Sequence, residues 1–375
     1  MGTPKPIDWV ETTLGEVIEN YDYKRIPLNS RDRARRQGIY PYYGASGIID
    51  HIDDYIFDGR YLLIAEDGEN LNSRKTPVAF FANGKFWVNN HAHIVRGIDG
   101  VSDDYFLMSY IQNMNISGYI TGAAQPKLSQ ANLNSIKVTL PPLPTQRRIA
   151  QILSAYDDLI ENNTRRIRIL EQMAQATYQE WFGKVDKESM PKGWIMTTLG
   201  EACNIVMGQS PASEFYNEEG KGLPFHQGVT NFGDRFPTDK IFCTAENRIA
   251  EKGDVLFSVR APVGRLNIST KKIIIGRGLC AIRSKTGNQS FVFQQLKEQF
   301  HEDDMMGGGT IFKSVTKDDV HGIKFLLPSS DIIEKFETFA NPISQELEIL
   351  TAKNANLRQT RDLLLPRLVS GEVEV

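Results

Sequence analysis

Mostly apolar positions recur at alternating spacings of four and three through Ile149, Leu153, Tyr156, Ile160, Asn163, Ile167, Leu170, Ala174, Thr177 and Trp181. This seam predicts one amphipathic helix about 35 residues long, starting after the breaker Leu140-Pro-Pro-Leu-Pro144. At about 1.5 Å per residue such a helix spans on the order of 50 Å, more than the core of one compact domain needs. A second seam begins near Asp331, meets Pro342, which should break or kink it, and resumes with Leu347, Leu350, Asn354, Leu357 and Leu364. Each seam carries one asparagine at a core position, Asn163 and Asn354. Polar residues there commonly fix register and partner at some cost in stability, so the two helices are expected to pair as an antiparallel coiled coil. Two amphipathic helices, each lying on its own domain, would present similar stripes. Elsewhere, short apolar runs at Tyr61–Ala65, Val78–Ala82, Val255–Val259 and Ile273–Ile275 are bounded by turn residues and predict strands, giving mixed α/β globular parts.

The chain also repeats itself. Trp9-x-x-Thr-Thr-Leu-Gly-Glu16 returns as Trp194-x-x-Thr-Thr-Leu-Gly-Glu201, with six identities in eight positions at a lag of 185. Ile136-Lys137 running into Pro141 matches Ile323-Lys324 running into Pro328, and Gly122 matches Gly309, at a lag of 187. Between these anchors Gly59 and Tyr61–Ala65 resemble Gly253 and Val255–Val259, with insertions blurring the register. The order implied is a globular head over 1–143, a helical spacer over 144–186, a related head over 187–328 and a second spacer over 329–375. If the helices pair antiparallel, the chain has an internal pseudo-two-fold repeat with unlike heads at the ends of a bar. Two-fold DNA binders read half-sites about one helical turn, some 34 Å, apart, which suits a bar of this length.

Composition narrows the classes without choosing among them. With 375 residues, 41% hydrophobic and 24% charged, the chain can bury at least two cores and is neither disordered nor fibrous. No apolar run approaches the roughly 18 residues that cross a bilayer, and Met1–Trp9 lacks a signal core, so a soluble chain is expected. Cys203, Cys243 and Cys280 form no C-x-x-C motif and no even framework, which fits a reducing cytoplasm. The net charge of −3 argues against binding a polyanion through bulk electrostatics, so any such site must be a local patch.

A search for chemistry finds little. There is no phosphate loop of the G-x-x-x-x-G-K-[ST] type and no G-x-G-x-x-G fingerprint, while Gly307–Gly309 lacks the lysine and hydroxyl that would follow a phosphate cradle. Asp22-x-Lys24 and Glu219-x-Lys221 have a nuclease-like spacing, but 46 acidic residues and 21 lysines produce about two or three such pairs by chance. His91-x-His93 has a ligand spacing with no carboxylate or cysteine pattern near it, and favours structural, hydrogen-bonded histidines.

Local clusters do suit a polyanion. Arg31, Arg33, Arg35 and Arg36 fall within six positions, and Tyr42, Tyr43 and the stretch Gln125 to Lys127 add aromatic and amide groups able to contact sugars and bases. The second half offers Gln209, Ser210, Arg260, Arg265, Arg277, Phe312 and Lys313, the last pair because the repeat sets Phe312 opposite Gln125. Lys271, Lys272 and Arg283 add charge nearby.

The two W-x-x-T-T-L-G-E openings, Pro141-Pro-Leu-Pro-x-Gln-Arg-Arg-Ile-Ala150, Trp181-Phe182 before Pro191-x-Gly193-Trp194, and the close Leu365-Pro-Arg-Leu-x-x-Gly-Glu372 carry a family resemblance. Together they resemble the specificity (S) subunit of type I restriction-modification systems over essentially the whole chain, although Pro328-Ser-Ser-Asp331 departs from the usual Pro-Leu-x-x-Gln start of the second helix. The resemblance implies two target recognition domains, each reading one half of a bipartite asymmetric DNA sequence, and two helical regions that set their spacing and bind two methyltransferase (M) subunits. It also implies no catalysis and no cofactor in this chain: S-adenosylmethionine belongs to the M subunits, and ATP and magnesium to restriction (R) subunits. Two other classes stand beside it, a self-sufficient DNA methylase or nuclease, and a coiled-coil adaptor without a DNA role.

Overall fold

The computed structural model describes residues 8–122, 124–183, 190–245, 247–300 and 314–375. It divides into two compact units, the first comprising 1–161 with 355–375 and the second 162–354.

The repeated sequence anchors turn out to be partners in one ladder. In the first unit Val10–Thr13 pairs antiparallel with Lys137–Leu140, and in the second Ile195–Thr198 pairs in the same way with Lys324–Leu327. Each opening strand then turns into a single helical turn, Leu14–Val17 or Leu199–Ala202. The glutamate of the motif reaches back to cap it, with Thr13 N–H donating to Glu16 at 3.0 Å and Thr198 N–H to Glu201 at 3.4 Å. The glycine between them is required by close approach, because a Cβ on Gly15 would lie 2.8 Å from the Asn134 side chain and one on Gly200 2.5 Å from His321. Leu14 and Leu199 are wholly buried, and their N–H groups bond the carbonyls of Ile136 and Ile323 at 2.8 Å. Opening and closing segments are therefore conserved between copies because they fasten each head to itself.

Both heads share four strands in one order. In the first unit these are Ile18–Asn20, Ala92–Gly97, Phe57–Ala65 and Ala79–Val88; in the second they are Cys203–Met207, Leu279–Ser284, Val255–Ser258 and Leu266–Ile268. Neighbours within each set run antiparallel. Their registers correct the sequence alignment by one residue. Leu62 faces Val95 and Val255 faces Ile282, so Leu62 rather than Tyr61 corresponds to Val255. A one-residue slip exchanges the two faces, and the choice is fixed because Leu62 shares the core of Leu14 and Val255 that of Leu199, whereas Tyr61 belongs to another cluster. The heads differ in what is added to this four-stranded frame. The first unit adds the hairpin Gln37–Gly44 and Gly47–Ile52 to the same sheet. The second builds a separate five-stranded sheet in which Leu223–His226 and Ile273–Ile275 run parallel.

Both long helices form, Leu143–Tyr178 and Ser330–Val369. In the first unit Ile149 and Leu153 join one core with Leu368 and Val369, with Leu364 packed against it, and Arg361 pairs with Asp157 at 2.5 Å. In the second unit Ala174, Ile343 and Leu347 share a cluster with Ile167 and Leu170 at its edge, and Arg166 pairs with Glu346 at 2.7 Å. Asn163 donates to Asn354 Oδ1 at 3.0 Å, and Asn354 donates to Thr164 at 3.2 Å, so rising numbers in one helix meet falling numbers in the other. The pairing is antiparallel. Ile160 and Leu350 are buried, whereas Tyr156 and Leu357 are half-buried.

Two details depart from the sequence pattern. Pro342 does not break the second helix. It and Thr338 lie on the exposed face, where water can reach the carbonyl left without its N–H partner. An interior proline costs about 3 kcal/mol, whereas burying Phe336, Ile343 and Leu347 contributes about 1.5–3 kcal/mol each, so the helix persists. The first seam also shifts at its end. The helix passes into a π turn at Gln179–Gly183, and Tyr178 and Phe182 are buried in place of the expected Thr177 and Trp181.

Each head is also docked onto a long helix by a side chain that caps a head helix. Gln146 accepts from Asp103 N–H at 2.9 Å at the start of Asp104–Asn113 and donates to the carbonyls of Val101 and Pro141. Glu337 accepts from Phe291 N–H at 2.7 Å near the start of Gln289–Gln299. Burial raises the Glu337 carboxyl above its ordinary range, against the opposing hydrogen bonds from Phe291 and Ser290.

Candidate nucleic-acid interface

The arginine cluster of the first unit separates into two kinds. Arg31, Arg33 and Arg35 lie on the short helix Ser30–Arg35, capped by Asn29, which accepts from the N–H groups of Arg31 and Asp32. Arg33 is held by Asp50 at 3.0 Å and the Leu28 carbonyl at 2.8 Å, 5.2 Å from the Tyr42 ring centre. Arg36 is held by Asp53 at 2.9 Å and lies over the Trp87 ring at 4.9 Å. These two tie the helix to the hairpin. Arg31 and Arg35 are exposed, and among the described residues neither forms an ion pair, so their charge is available to an outside polyanion.

Tyr42 is a core residue. It is wholly buried with Ile52 and Trp87, and its hydroxyl accepts from Leu28 N–H at 2.9 Å, so it cannot meet a base as the sequence suggested. Tyr43 is half-buried against Phe80 and Phe86, and burial raises its phenol. Gln125 is exposed on a turn closed by reciprocal bonds between Thr121 and Lys127 at 2.9 and 2.7 Å.

Beneath that turn lies an ion network in which His93 is hydrogen-bonded as expected, with partners that no local spacing announces. His93 is wholly buried, with Nδ1 2.6 Å from Asp22 and Nε2 2.8 Å from the Leu128 carbonyl. Both ring nitrogens face acceptors, which fixes the ring between Asp22 and the Leu128 carbonyl. Arg25 bonds Glu66 at 2.5 Å and Asp22 at 3.3 Å, and Lys127 reaches Glu66 at 3.3 Å. Burial pushes Asp22 upward, but the hydrogen bond and charge of His93, the Ile94 N–H and Arg25 outweigh it and hold the carboxyl below its ordinary value. Donor atoms of Asp22, Glu66 and His93 lie within 4.8 Å of one another, a spacing that could hold a metal. Arg25 and Lys127 already balance these two carboxylates, so the network reads as a structural ion cluster that carries the Gln125 turn. The carboxylates missing from the neighbourhood of His93 in sequence come from distant segments. His91 is hydrogen-bonded to Asp67 at 2.7 Å.

In the second unit Gln209 and Arg277 are exposed, and Ser210 is half-buried beside them, accepting from Arg277 N–H at 3.2 Å and donating to Gln227 Oε1 at 2.8 Å. Gln227 is exposed and was passed over in the sequence, where a lone glutamine outside any charged cluster gives no signal. The glycines around Arg277 were the available clue. Arg260 is exposed and bridges Ser314, and Arg265 is exposed with its N–H on Ser258. Lys271 and Arg283 are committed to Asp239 at 2.9 Å and to buried Asp254 at 2.6 Å. Phe312, Lys313 and the run Gly307–Gly309 lie outside the described residues. The three cysteines are buried and unpaired, with burial raising the thiols of Cys203 and Cys280. Among the described residues no helix is long and apolar enough to cross a membrane.

Comparison with known proteins gives a consistent result. The family model described as type I restriction modification DNA specificity domain matches twice, over residues 6–172 and 191–359. A Methanocaldococcus jannaschii protein named as the MjaX specificity subunit of a type I restriction enzyme is 32% identical over 286 residues, covering 72% of this chain and 67% of that one. A Haemophilus influenzae protein named as specificity subunit S.HindORF215P is 28% identical, covering 96% and 95%. The crystal structure of a type I restriction-modification S subunit from M. genitalium is 18% identical, with 98% of each chain covered and a TM-score of 0.69, a likeness of fold.

Proposed function

Because the chain belongs to the type I restriction-modification DNA specificity family, we propose that it is the sequence-reading subunit of such a complex, with one half of a split DNA target read by each head. The observation that carries this is the doubled family match, in which each copy comprises a head and most of the long helix that follows it. In this reading residues 1–143 and 187–328 are the recognition modules, and 144–186 with 329–375 form the spacer that sets their separation and receives two M subunits. The chain itself is non-catalytic. Methyl transfer from S-adenosylmethionine belongs to the M subunits, ATP- and magnesium-dependent steps to R subunits, and the complex works in the cytoplasm on double-stranded DNA. Exposed Arg31 and Arg35 in one head, and Arg277 with its polar neighbours in the other, support a polyanion on both. Mapping methylated adenines across the genome with and without the gene tests the reading. Loss of one split motif is the expected result. Replacing residues 1–143 by another family member's first head should alter one half of that motif, and a change in both halves, or in neither, would overturn the assignment.

A further inference from the structure

Three loops of the second unit meet at one end of its sheets: Gly208–Ser210 after Cys203–Met207, Gln227–Gly228 after Leu223–His226, and Gly276–Gly278 after Ile273–Ile275. The last two strands are parallel, with Phe225 opposite Ile274 and His226 opposite Ile275, so both chains leave at the same edge. Gln209 N–H bonds the Ile275 carbonyl at 3.0 Å and Gly278 N–H the Gln227 carbonyl at 3.0 Å, which locks the loops together. Only glycine allows this approach. A Cβ on Gly276 would lie 2.8 Å from both Cα and Oε1 of Gln227, and one on Gly208 only 2.1 Å from the Gly276 carbonyl.

A directed hydrogen-bond chain runs through the junction. The Arg277 N–H donates to Ser210 Oγ at 3.2 Å, and Ser210 in turn donates its own proton to Gln227 Oε1 at 2.8 Å. Accepting the backbone N–H on one lone pair leaves Ser210 its own proton, which goes to Oε1 and seats the amide of Gln227 in this orientation. One lone pair of Oε1 and both protons of Nε2 remain, on a side chain that is exposed and whose Nε2 has no hydrogen-bond partner among the described residues.

The geometry points to Gln227 as a base-specificity residue of the second head, presenting one acceptor and one donor in a set order to the major-groove edge of adenine. Adenine offers an N6 donor beside an N7 acceptor, whereas guanine offers two acceptors and opposes Oε1. Ser210 acts as a positioning residue, holding the amide in the orientation that distinguishes the two. The inference rests on the DNA-reading function proposed above and deepens it by naming a base.

Its test uses the full chain, purified with the partners it retains, and a library of duplexes with randomised positions from which bound sequences are read. Gln227→Glu removes the donor and leaves two acceptors, which suit the N4 amino group of cytosine. The expected result is a shift of about tenfold or more from adenine toward cytosine at one base pair, with every other position and the other half of the motif unchanged. Ser210→Ala should weaken the adenine preference at that same base pair alone. Uniform loss of affinity in Gln227→Glu, or a motif unchanged in both variants, overturns this inference and leaves the subunit's function standing. A wild-type chain that enriches no motif overturns the function and the inference together.

Discussion

At matching places behind their loops the two heads use opposite chemistry. In the first, Asp22 and His93 adjoin at the end of the paired strands Ile18–Asn20 and Ala92–Gly97, Glu66 follows Phe57–Ala65, and Lys127 closes over them. In the second, the same register brings Met207 opposite Cys280, while Val259 takes the place of Glu66 and Ser314 that of Lys127. The backbone is common to both. Leu128 N–H bonds the Glu66 carbonyl at 2.7 Å, and Val315 N–H bonds the Val259 carbonyl at 3.0 Å. The ladder thus holds the frame whatever fills it, which is why the anchors of the repeat survive while the interiors diverge. The fillings differ in their demands. An apolar one tolerates piecemeal change, but an ion cluster must be complete, since each buried charge relies on the others.

The largest expected effect follows from that asymmetry. His93→Cys imports the second head's residue into the first, leaving buried Asp22 and the Leu128 carbonyl without their ring partner. The loss should be about 3–5 kcal/mol, against a loss on the order of 1 kcal/mol for Cys280→Ala in the apolar setting. Hydrogen exchange along Phe57–Ala65 and Val255–Ser258 measures both heads in one chain, and equal losses would erase the contrast.

A smaller effect concerns acid. Asp22 lies below its ordinary value in the folded chain, so its contribution is fully present above the unfolded value of about 3.9 and is lost as pH falls through the lower folded one. Met207, at the matching place, titrates nothing. Wild type should therefore exceed Asp22→Asn in stability near neutrality, with the gap closing on acidification. A gap that stays constant from about pH 6 to about pH 3 would remove the ionic reading of the cluster.

What the sequence disclosed and what it hid divide along the same line. Features built from neighbours in the chain were legible: the repeated Thr-Thr-Leu-Gly-Glu motif, though not its role as a cap, and the two seams, each with its core asparagine. Features assembled from afar were not. His93 finds Asp22 from 71 residues away and Glu66 just past another strand, and no local spacing announces that meeting. The break expected at Pro342 does not occur because local propensity is outweighed by the buried face. The arginine run was visible as charge, but which guanidinium groups it spends on the fold depends on Asp50 and Asp53, which the hairpin brings back to them.

That last division gives the smallest effect and the finest comparison. Arg31 and Arg35 carry no fold, so Arg35→Ala should leave stability within about 0.5 kcal/mol while weakening DNA binding nearly alike for all sequences and lowering the salt slope by about one. Arg33→Ala should do the reverse. It removes the bonds that tie the helix to Asp50 and the Leu28 carbonyl, so the hairpin loosens first, and any loss of binding follows from that. Titrating both variants with the same duplex at several salt concentrations, alongside their unfolding curves, separates the two roles. If Arg33→Ala and Arg35→Ala change slope and stability in equal measure, the sorting of this cluster into fold-holding and DNA-facing charges is wrong.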